Sequence, residues 1–232
     1  TNIPGDSSGN SHYNRVRACS LGHAVEVDGG GGGGQASGIE VYGHSYLIVE
    51  SCYVYSPVVL GISFKGQSAQ PPMVGNVAKF NYIKMGDDPG AGIIIICQSK
   101  FDSIYGNVIN GWGTLEEAIY IGGLNAYGAM FVAHNTIYNI RWKGIDVGGD
   151  GSNPAPNWIK YNIISLMPSD IDEGVICTRN TDYNNWTIDS NQIYVSKYQF
   201  IAGSTPVTLS QWRNTYGFDV RSDTTNPQLV DP

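Results

Sequence analysis

The sequence predicts an all-β fold, a right-handed parallel β-helix (solenoid) of about six to seven stacked coils, each of roughly 28 residues, followed by a short C-terminal helix. Two observations predict this fold. Two short motifs recur in step along the 232 residues, and the composition favours strands and tight turns over helices.

The first repeat consists of a short strand, one anchor residue and a second short strand, as in residues 77–83. Successive anchors are 33, 29, 26, 28, 27 and 29 residues apart: Cys19, Cys52, Asn81, Asn107, Asn135, Asn162 and Asn191. An inward asparagine at a sharp turn can hydrogen-bond its neighbours above and below, because its amide both donates and accepts. We therefore predict a buried asparagine ladder, the alternative being that asparagine is merely common in loops.

The second repeat lies between the anchors and consists of a small residue, an apolar residue, any residue and an apolar residue. It occurs at residues 38–41, 61–64, 92–95, 118–121, 144–147 and 174–177. The alternation predicts a third strand in each coil with its apolar side chains facing inward. One coil cannot bury its apolar face alone, but stacked coils share a continuous core.

The composition excludes some functions. Charged residues make up 14% of the chain, the net charge is −7, and only 13 Lys and Arg are spread along it, so we expect no nucleic-acid partner. A polyanionic ligand would need a bridging cation such as Ca²⁺. The chain contains no run of 18 apolar residues, so the sequence predicts no membrane-spanning helix. The composition suits a secreted protein, and we expect an extracellular or cell-surface location.

The pattern of strand, asparagine, strand, loop and Gly-Ile-x-Val resembles the repeats of the pectate-lyase-like parallel β-helix superfamily. The tail, Thr208-Leu209-Ser210-Gln211-Trp212 through Asn226-Pro227 to Asp231-Pro232, resembles the closing segment of bacterial β-helix repeat proteins. The resemblance implies one domain over residues 1–232, with coils in 1–200 and a closing segment in 201–232. Preceding Ser/Thr caps and Gly217 place its helix at about 209–214.

The resemblance also implies a groove along the Gly-Ile-x-Val strand, whose outward row would be Glu40, Ser63, Ile94, Tyr120, Asp146 and Ile176. Two carboxylates flanking a glycosidic bond would permit hydrolysis, and a Lys, Arg or Tyr could instead take the proton in an elimination. The catalytic candidates are Asp146, Lys143, Tyr120, Glu117 and Arg141. The substrate-binding candidates are Trp142, Trp112 and Glu116. A solvated edge with ordinary ion pairs is the alternative.

The same loops suggest weaker sites. Asp87 and Asp88, on the coil before Glu116 and Glu117, could hold Ca²⁺ through hard oxygen ligands, or could be solvated turn carboxylates. Cys19 and Cys52 share an anchor position on adjacent coils, so they could form a disulfide or stack as buried thiols.

Two functions follow from these observations. The resemblance and the clustered charge favour a polysaccharide-active enzyme, a lyase or a glycoside hydrolase. The chain contains no Gly-His-Gly and no Arg-Ile-Lys, the lyase and polygalacturonase signatures are not recognisable, and no N-terminal cap is evident. These observations favour a non-catalytic β-helix, such as an adhesin, a tailspike-like module or a subunit that self-associates end to end through open strand edges.

Overall fold

The computed structural model describes residues 14–22, 37–43, 45–55, 60–65, 73–86, 90–96, 99–111, 117–122, 129–148, 156–166, 174–178, 186–195 and 199–229. It is an all-β solenoid in which the chain passes repeatedly through three stacked parallel sheets, which confirms the predicted β-helix. In the described part of the chain, no helix is both long and apolar enough to cross a membrane.

The first sheet precedes the anchor turn and has seven strands. They are β1 (Arg15–Arg17), β4 (Ile48–Glu50), β8 (Val77–Lys79), β12 (Ser103–Tyr105), β15 (Phe131–Ala133), β18 (Asn157–Lys160) and β21 (Trp186–Asp189). The second sheet follows the anchor turn and also has seven. They are β2 (Ser20–Gly22), β5 (Tyr53–Tyr55), β9 (Tyr82–Lys84), β13 (Val108–Asn110), β16 (Thr136–Ile140), β19 (Ile163–Leu166) and β22 (Gln192–Tyr194).

The third sheet contains the predicted Gly-Ile-x-Val strands and has eight strands. They are β3 (Ser37–Tyr42), β6 (Leu60–Lys65), β10 (Ala91–Ile96), β14 (Glu117–Gly122), β17 (Lys143–Val147), β20 (Gly174–Thr178), β23 (Gln199–Ala202) and β24 (Thr205–Thr208). A small additional sheet pairs β7 (Met73–Val74) with β11 (Ser99–Lys100). Among the described strands, every pairing is parallel except that of β23 with β24.

The core consists of like residues stacked in register on successive strands. The first sheet contributes Val49, Ala78, Ile104, Val132, Ile159 and Ile188, and the second contributes Val54, Ile83, Ile109, Ile137, Ile164 and Ile193. The third contributes Ile39, Ile62, Ile93, Ile119, Ile145 and Ile176. Each strand is too short to bury much by itself, so this continuous stack provides the apolar burial that holds the fold together.

The predicted asparagine ladder is confirmed. Asn81, Asn107, Asn135, Asn162 and Asn191 are all buried. Each of the first four donates a side-chain N–H to the Oδ1 of the next, over 2.9–3.0 Å. The same oxygens accept backbone N–H groups from the preceding coil, as Asn135 does from Asn107 at 3.0 Å.

The residues before the anchors adopt positive φ, which opens the turn. These residues are Ala18, Ser51, Phe80, Gly106, His134, Tyr161 and Ser190. Left-handed backbone is costly for residues other than glycine, so the ladder and the packed strands must hold each turn in this conformation.

A second polar ladder lies at the opposite end of the first sheet and was missed by the sequence analysis. Its members precede the anchors by five residues: Leu47, Asn76, Asp102, Met130 and Asn157. Leu47 N–H donates to Asn76 Oδ1 at 3.0 Å, Asn76 N–H to Asp102 Oδ1 at 2.7 Å, and Met130 N–H to Asn157 Oδ1 at 2.9 Å. The turns that precede β4, β8 and β15 are thus each held by a side chain from the next coil.

The C-terminal end of the solenoid is closed. Strand β24 turns back antiparallel on β23, and α1 (Leu209–Asn214) follows, as predicted. Thr208 caps this helix together with Gln211 in a reciprocal capping box. The buried Trp212 stacks on Phe200 of β23 with ring centroids 4.9 Å apart.

The N-terminal end is formed by β1, β2 and β3, which are terminal strands of their sheets. The predicted lack of a cap concerns residues 1–13, which lie outside the described residues. Cys19 and Cys52 are free thiols, not a disulfide. Burial, followed by the neighbouring Cys52 thiol, raises the pKa of Cys19 to about 12, so this thiol stays protonated at neutral pH.

Candidate functional site

The outer face of the third sheet carries the residues predicted to be functional. Near the start of these strands two consecutive positions face the core, so the outward positions on either side of them are three residues apart. Ala118 and Ile119, for example, are both part of the main apolar core. At the equivalent position of β17, a Cβ on Gly144 would come within 2.6 Å of the Val175 carbonyl oxygen, which explains the small residue of the motif.

The outward row differs from the prediction at its last member. Glu40, Ser63, Ile94, Tyr120 and Asp146 are in register as predicted, but Asp146 pairs with Cys177, and Ile176 pairs with Ile145 in the core. The prediction that Ile176 faces outward is therefore wrong. Val175 and Ile176 are both in the core. The outward position of this strand is therefore one residue later than the motif predicted.

Three charged side chains meet on this face. Lys143 Nζ lies 2.7 Å from Glu117 Oε1 and 3.2 Å from Asp146 Oδ2. Register on β14 and β17 places Glu117 beside Lys143, and the three-residue spacing within β17 places Lys143 beside Asp146. We call these three residues the ion triad.

The ion triad is buried. The side chain of Asp146 is fully inaccessible, that of Lys143 is 5% exposed and that of Glu117 is 18% exposed. Asp146 and Lys143 therefore do not face open solvent, although both belong to the outer side of the predicted strand. Outward from the coil does not mean toward solvent here, because the neighbouring outward residues Leu60, Ala91 and Ile94 are also buried and form a second apolar cluster.

Lys143 contacts both carboxylates of the ion triad, and the pKa of Glu117 reflects this environment. Burial raises the pKa of Glu117, the bond from Lys143 opposes this shift, and the adjacent Asp146 charge adds to it. Burial and a neighbouring negative charge both favour the protonated form of a carboxyl group, so Glu117 holds a proton more readily than a solvated glutamate does. Reaction of the triad with a polymer would require access to Asp146 and Lys143, whose side chains are almost entirely buried.

The other predicted site residues are placed less closely together. Tyr120 is in register with Asp146, but its ring leans over Gly122, where a Cβ would come within 2.1 Å of it, and packs against the second apolar cluster. Arg141 lies over the ring of Trp142, 6.0 Å from the centroid, at the start of β17.

Four predicted site residues, Trp112, Glu116, Asp87 and Asp88, lie outside the described residues. Within the described residues, no group of three or more His, Cys, Asp or Glu side chains is arranged to hold a metal ion. The tripeptide Asn180-Thr181-Asp182, one element of the polygalacturonase signature, also lies outside the described residues, and neither Gly-His-Gly nor Arg-Ile-Lys accompanies it in the sequence.

A surface that the sequence analysis missed lies on the second sheet. Tyr53 and Tyr82 occupy the same outward position on adjacent strands, and their rings stack with centroids 5.2 Å apart and planes 6° apart. Tyr55 stacks beside Tyr53 at 6.3 Å, and Lys84 Nζ lies 5.8 Å from the centre of the Tyr55 ring. We call Tyr53, Tyr55, Tyr82 and Lys84 the tyrosine face.

The tyrosine face was readable in principle. Strands β5 and β9 each follow an anchor, and their middle residues, Val54 and Ile83, face inward. The alternation alone therefore places the flanking tyrosines on the outer side. Tyr53 is 44% exposed. The residue in register on the preceding strand is Ser20, which is too small to cover the other face of the Tyr53 ring.

No protein-family model, curated protein or solved structure matches the chain.

Proposed function

We propose that this protein is an extracellular, polysaccharide-binding β-helix that holds its ligand on the tyrosine face without cleaving it. The observation that supports this proposal most directly is the pair of parallel tyrosine rings, Tyr53 and Tyr82, on the outer side of the second sheet. The pectate-lyase-like resemblance of the repeats supports the choice of polysaccharide as the ligand.

Ring stacking suits a polysaccharide because the faces of a sugar ring are apolar and its rim is polar. Rigid aromatic side chains provide contact area at a small cost in conformational entropy, and the tyrosine hydroxyls can hydrogen-bond the rim. The stacked strands repeat their side chains about every 4.8 Å, so the surface is a regular row that suits a regular polymer. Lys84 adds a cation that would favour a ligand with carboxylate groups.

A non-catalytic function fits the condition of the ion triad. A general acid or base must come within hydrogen-bond reach of the substrate, and the Asp146 side chain is fully inaccessible. Its carboxylate instead lies 3.2 Å from Lys143 Nζ, inside the protein.

Affinity electrophoresis through gels that contain neutral or acidic polysaccharides tests the proposal. We expect at least one polysaccharide to retard the protein, and the Tyr53→Ser/Tyr82→Ser double variant to migrate as it does in an empty gel. Tyr194→Ser is the matched control, because Tyr194 is an exposed outward tyrosine on the last strand of the same sheet. Unchanged migration in every gel, or equal retardation of the double variant, would refute the proposal.

A lyase or hydrolase centred on Glu117 is the second candidate. It is favoured by the raised pKa of Glu117, a property of general acids, and by the partial exposure of its side chain. Incubation with the same polysaccharides, read by reducing ends and by the absorbance of unsaturated products, tests it. Activity that Glu117→Gln abolishes and Glu40→Gln retains would establish this candidate. If no substrate is turned over, the candidate fails.

A further inference from the structure

A cavity of about 370 Å³ opens at the C-terminal end of the solenoid, between the last strand of the first sheet and the turn that follows α1. Its lining residues are Trp186, Thr187, Ile188 and Asp189 from β21, and Thr215, Tyr216, Gly217 and Phe218 from the turn. The volume is within the range of small-molecule sites, about 300–1,000 Å³. The cavity is separate from the ion triad, whose residues lie on the third sheet.

The aromatic part of the lining is held in place by the core. Trp186 and Tyr216 are half-buried and pack against the main apolar core. Tyr216 also stacks on Phe218 with planes 12° apart. Rings fixed in this way form a rigid apolar wall, which a ligand can contact without having to order it first.

The polar part of the lining combines hydroxyl groups with one carboxylate. Thr187 and Thr215 are exposed and can donate or accept. Asp189 is fixed by the backbone N–H of Arg221 at 2.9 Å and by its Nε at 2.6 Å. Burial acts to raise the pKa of Asp189, but these bonds outweigh it and lower the pKa, so the carboxylate remains an ionised acceptor.

We infer that this cavity binds a single sugar residue, for which the aromatic wall supplies the face contact and Thr187, Thr215 and Asp189 supply partners for ring hydroxyls. An extended peptide is the other ligand that an edge strand can accept. The edge of β21 is already partly occupied, because Asp219 N–H bonds to the Ile188 carbonyl at 2.7 Å. Too little of the edge is left to pair with an extended peptide. The inference rests on the proposed function for the choice of sugars as ligands.

The surroundings of the cavity fit a longer chain whose end occupies it. Trp158 and Phe131 occupy the outward positions in register with Thr187 on the two preceding strands. An aromatic row therefore leads from the cavity along the first sheet. This row is on a different sheet from the tyrosine face, so the two surfaces can be tested separately.

Saturation-transfer NMR with free hexoses, hexuronates and N-acetylhexosamines tests the inference on the full chain. We expect at least one of these sugars to receive saturation from the protein. Two substitutions that act differently probe the cavity: Thr187→Arg fills it, and Tyr216→Ala removes part of the aromatic wall. Thr205→Arg is the matched control, an exposed threonine on a strand outside the cavity.

We expect Thr187→Arg and Tyr216→Ala each to weaken binding of that sugar at least about tenfold, which corresponds to about 1.4 kcal/mol, while Thr205→Arg and the Tyr53→Ser/Tyr82→Ser variant bind normally. A lack of transfer to every sugar, or unchanged binding by Thr187→Arg, would overturn the inference. If the inference fails in this way but polysaccharide gels still retard the protein, the tyrosine face remains supported. Failure of the cavity and failure of the proposed function can thus be distinguished.

Discussion

Asn191 donates its side-chain N–H to Asp219 Oδ1 at 2.8 Å, and this bond ends the asparagine ladder. Asp219 lies 28 residues after Asn191, the spacing of one further coil, but it belongs to the segment after α1. Its carboxylate also accepts from Trp212 Nε1 at 2.8 Å and from the Ser222 hydroxyl. Burial raises the pKa of Asp219, and these three hydrogen bonds oppose the shift. Both carboxylate oxygens accept here, so the last rung needs no acceptor beyond it.

We predict that Asp219→Asn destabilises the protein by about 1–3 kcal/mol. The two carboxylate oxygens accept three hydrogen bonds, and an amide would replace one oxygen by an NH₂ group that faces a donor. The free energy of unfolding in urea measures this change. Asp223→Asn is the control, since that carboxylate is exposed and accepts local bonds from Thr225 and from the Thr224 backbone. Equal stability of the two variants would show that a carboxylate is not needed at the end of the ladder.

We predict that Asn135→Leu in the middle of the ladder also costs about 1–3 kcal/mol. The change removes the acceptor of the Asn107 N–H groups and the donor to Asn162, at 3.0 Å in each case, and it leaves those partners buried. Chemical unfolding provides the measurement. Asn214→Leu, at an exposed position of α1, should change stability by less than about 0.5 kcal/mol, and an equal loss in both variants would contradict the prediction.

The sequence was sufficient for the ladder because its signal is local and repeated. Asn81, Asn107 and Asn135 recur at coil spacing between apolar pairs, and only one stacking register satisfies all of them. The second ladder repeats with the same spacings, yet Leu47 and Met130 occupy two of its positions, so no single residue type marked it.

The candidate site was harder to predict, because alternation gives the direction of a side chain and not its exposure. Asp146 faces outward from its coil as predicted, but it is buried there. Burial depends on what lies over the sheet, and the periodicity of one strand contains no information about that. The error at Ile176 has another origin: the motif aligned Gly174 with Gly144, whereas Gly174 pairs with Lys143, so every later position of this strand is shifted by one residue.

We predict that Lys143→Met costs about 3–5 kcal/mol, because it leaves two carboxylates buried without their cation. The Glu117→Gln/Lys143→Met/Asp146→Asn triple variant should recover part of that loss, since it also removes the charges of the two carboxylates. Lys65→Met is the control: its ion pair with the exposed Glu40, at 3.3 Å, should contribute about 0–1 kcal/mol. Urea unfolding of all three variants tests the order. A Lys143→Met variant as stable as Lys65→Met would mean that the triad is neutral for folding.

The ion triad also predicts how stability depends on pH. The pKa of Glu117 is raised from its ordinary value of 4.5, chiefly by burial, so the folded protein holds this proton more tightly than the unfolded chain does. The corresponding stabilisation is complete below about pH 4.5 and is lost as pH rises through the folded pKa. Glu117→Gln cannot titrate, so its stability relative to the wild type should increase over that interval. Urea midpoints at a series of pH values measure the difference.

Asp223→Asn is the control. Hydrogen bonds from Thr225 lower the pKa of Asp223 below its ordinary value of 3.8. The stability difference between this variant and the wild type should therefore change only at lower pH. A Glu117→Gln difference that stays constant above pH 4.5 would show that Glu117 is ionised throughout in the folded protein.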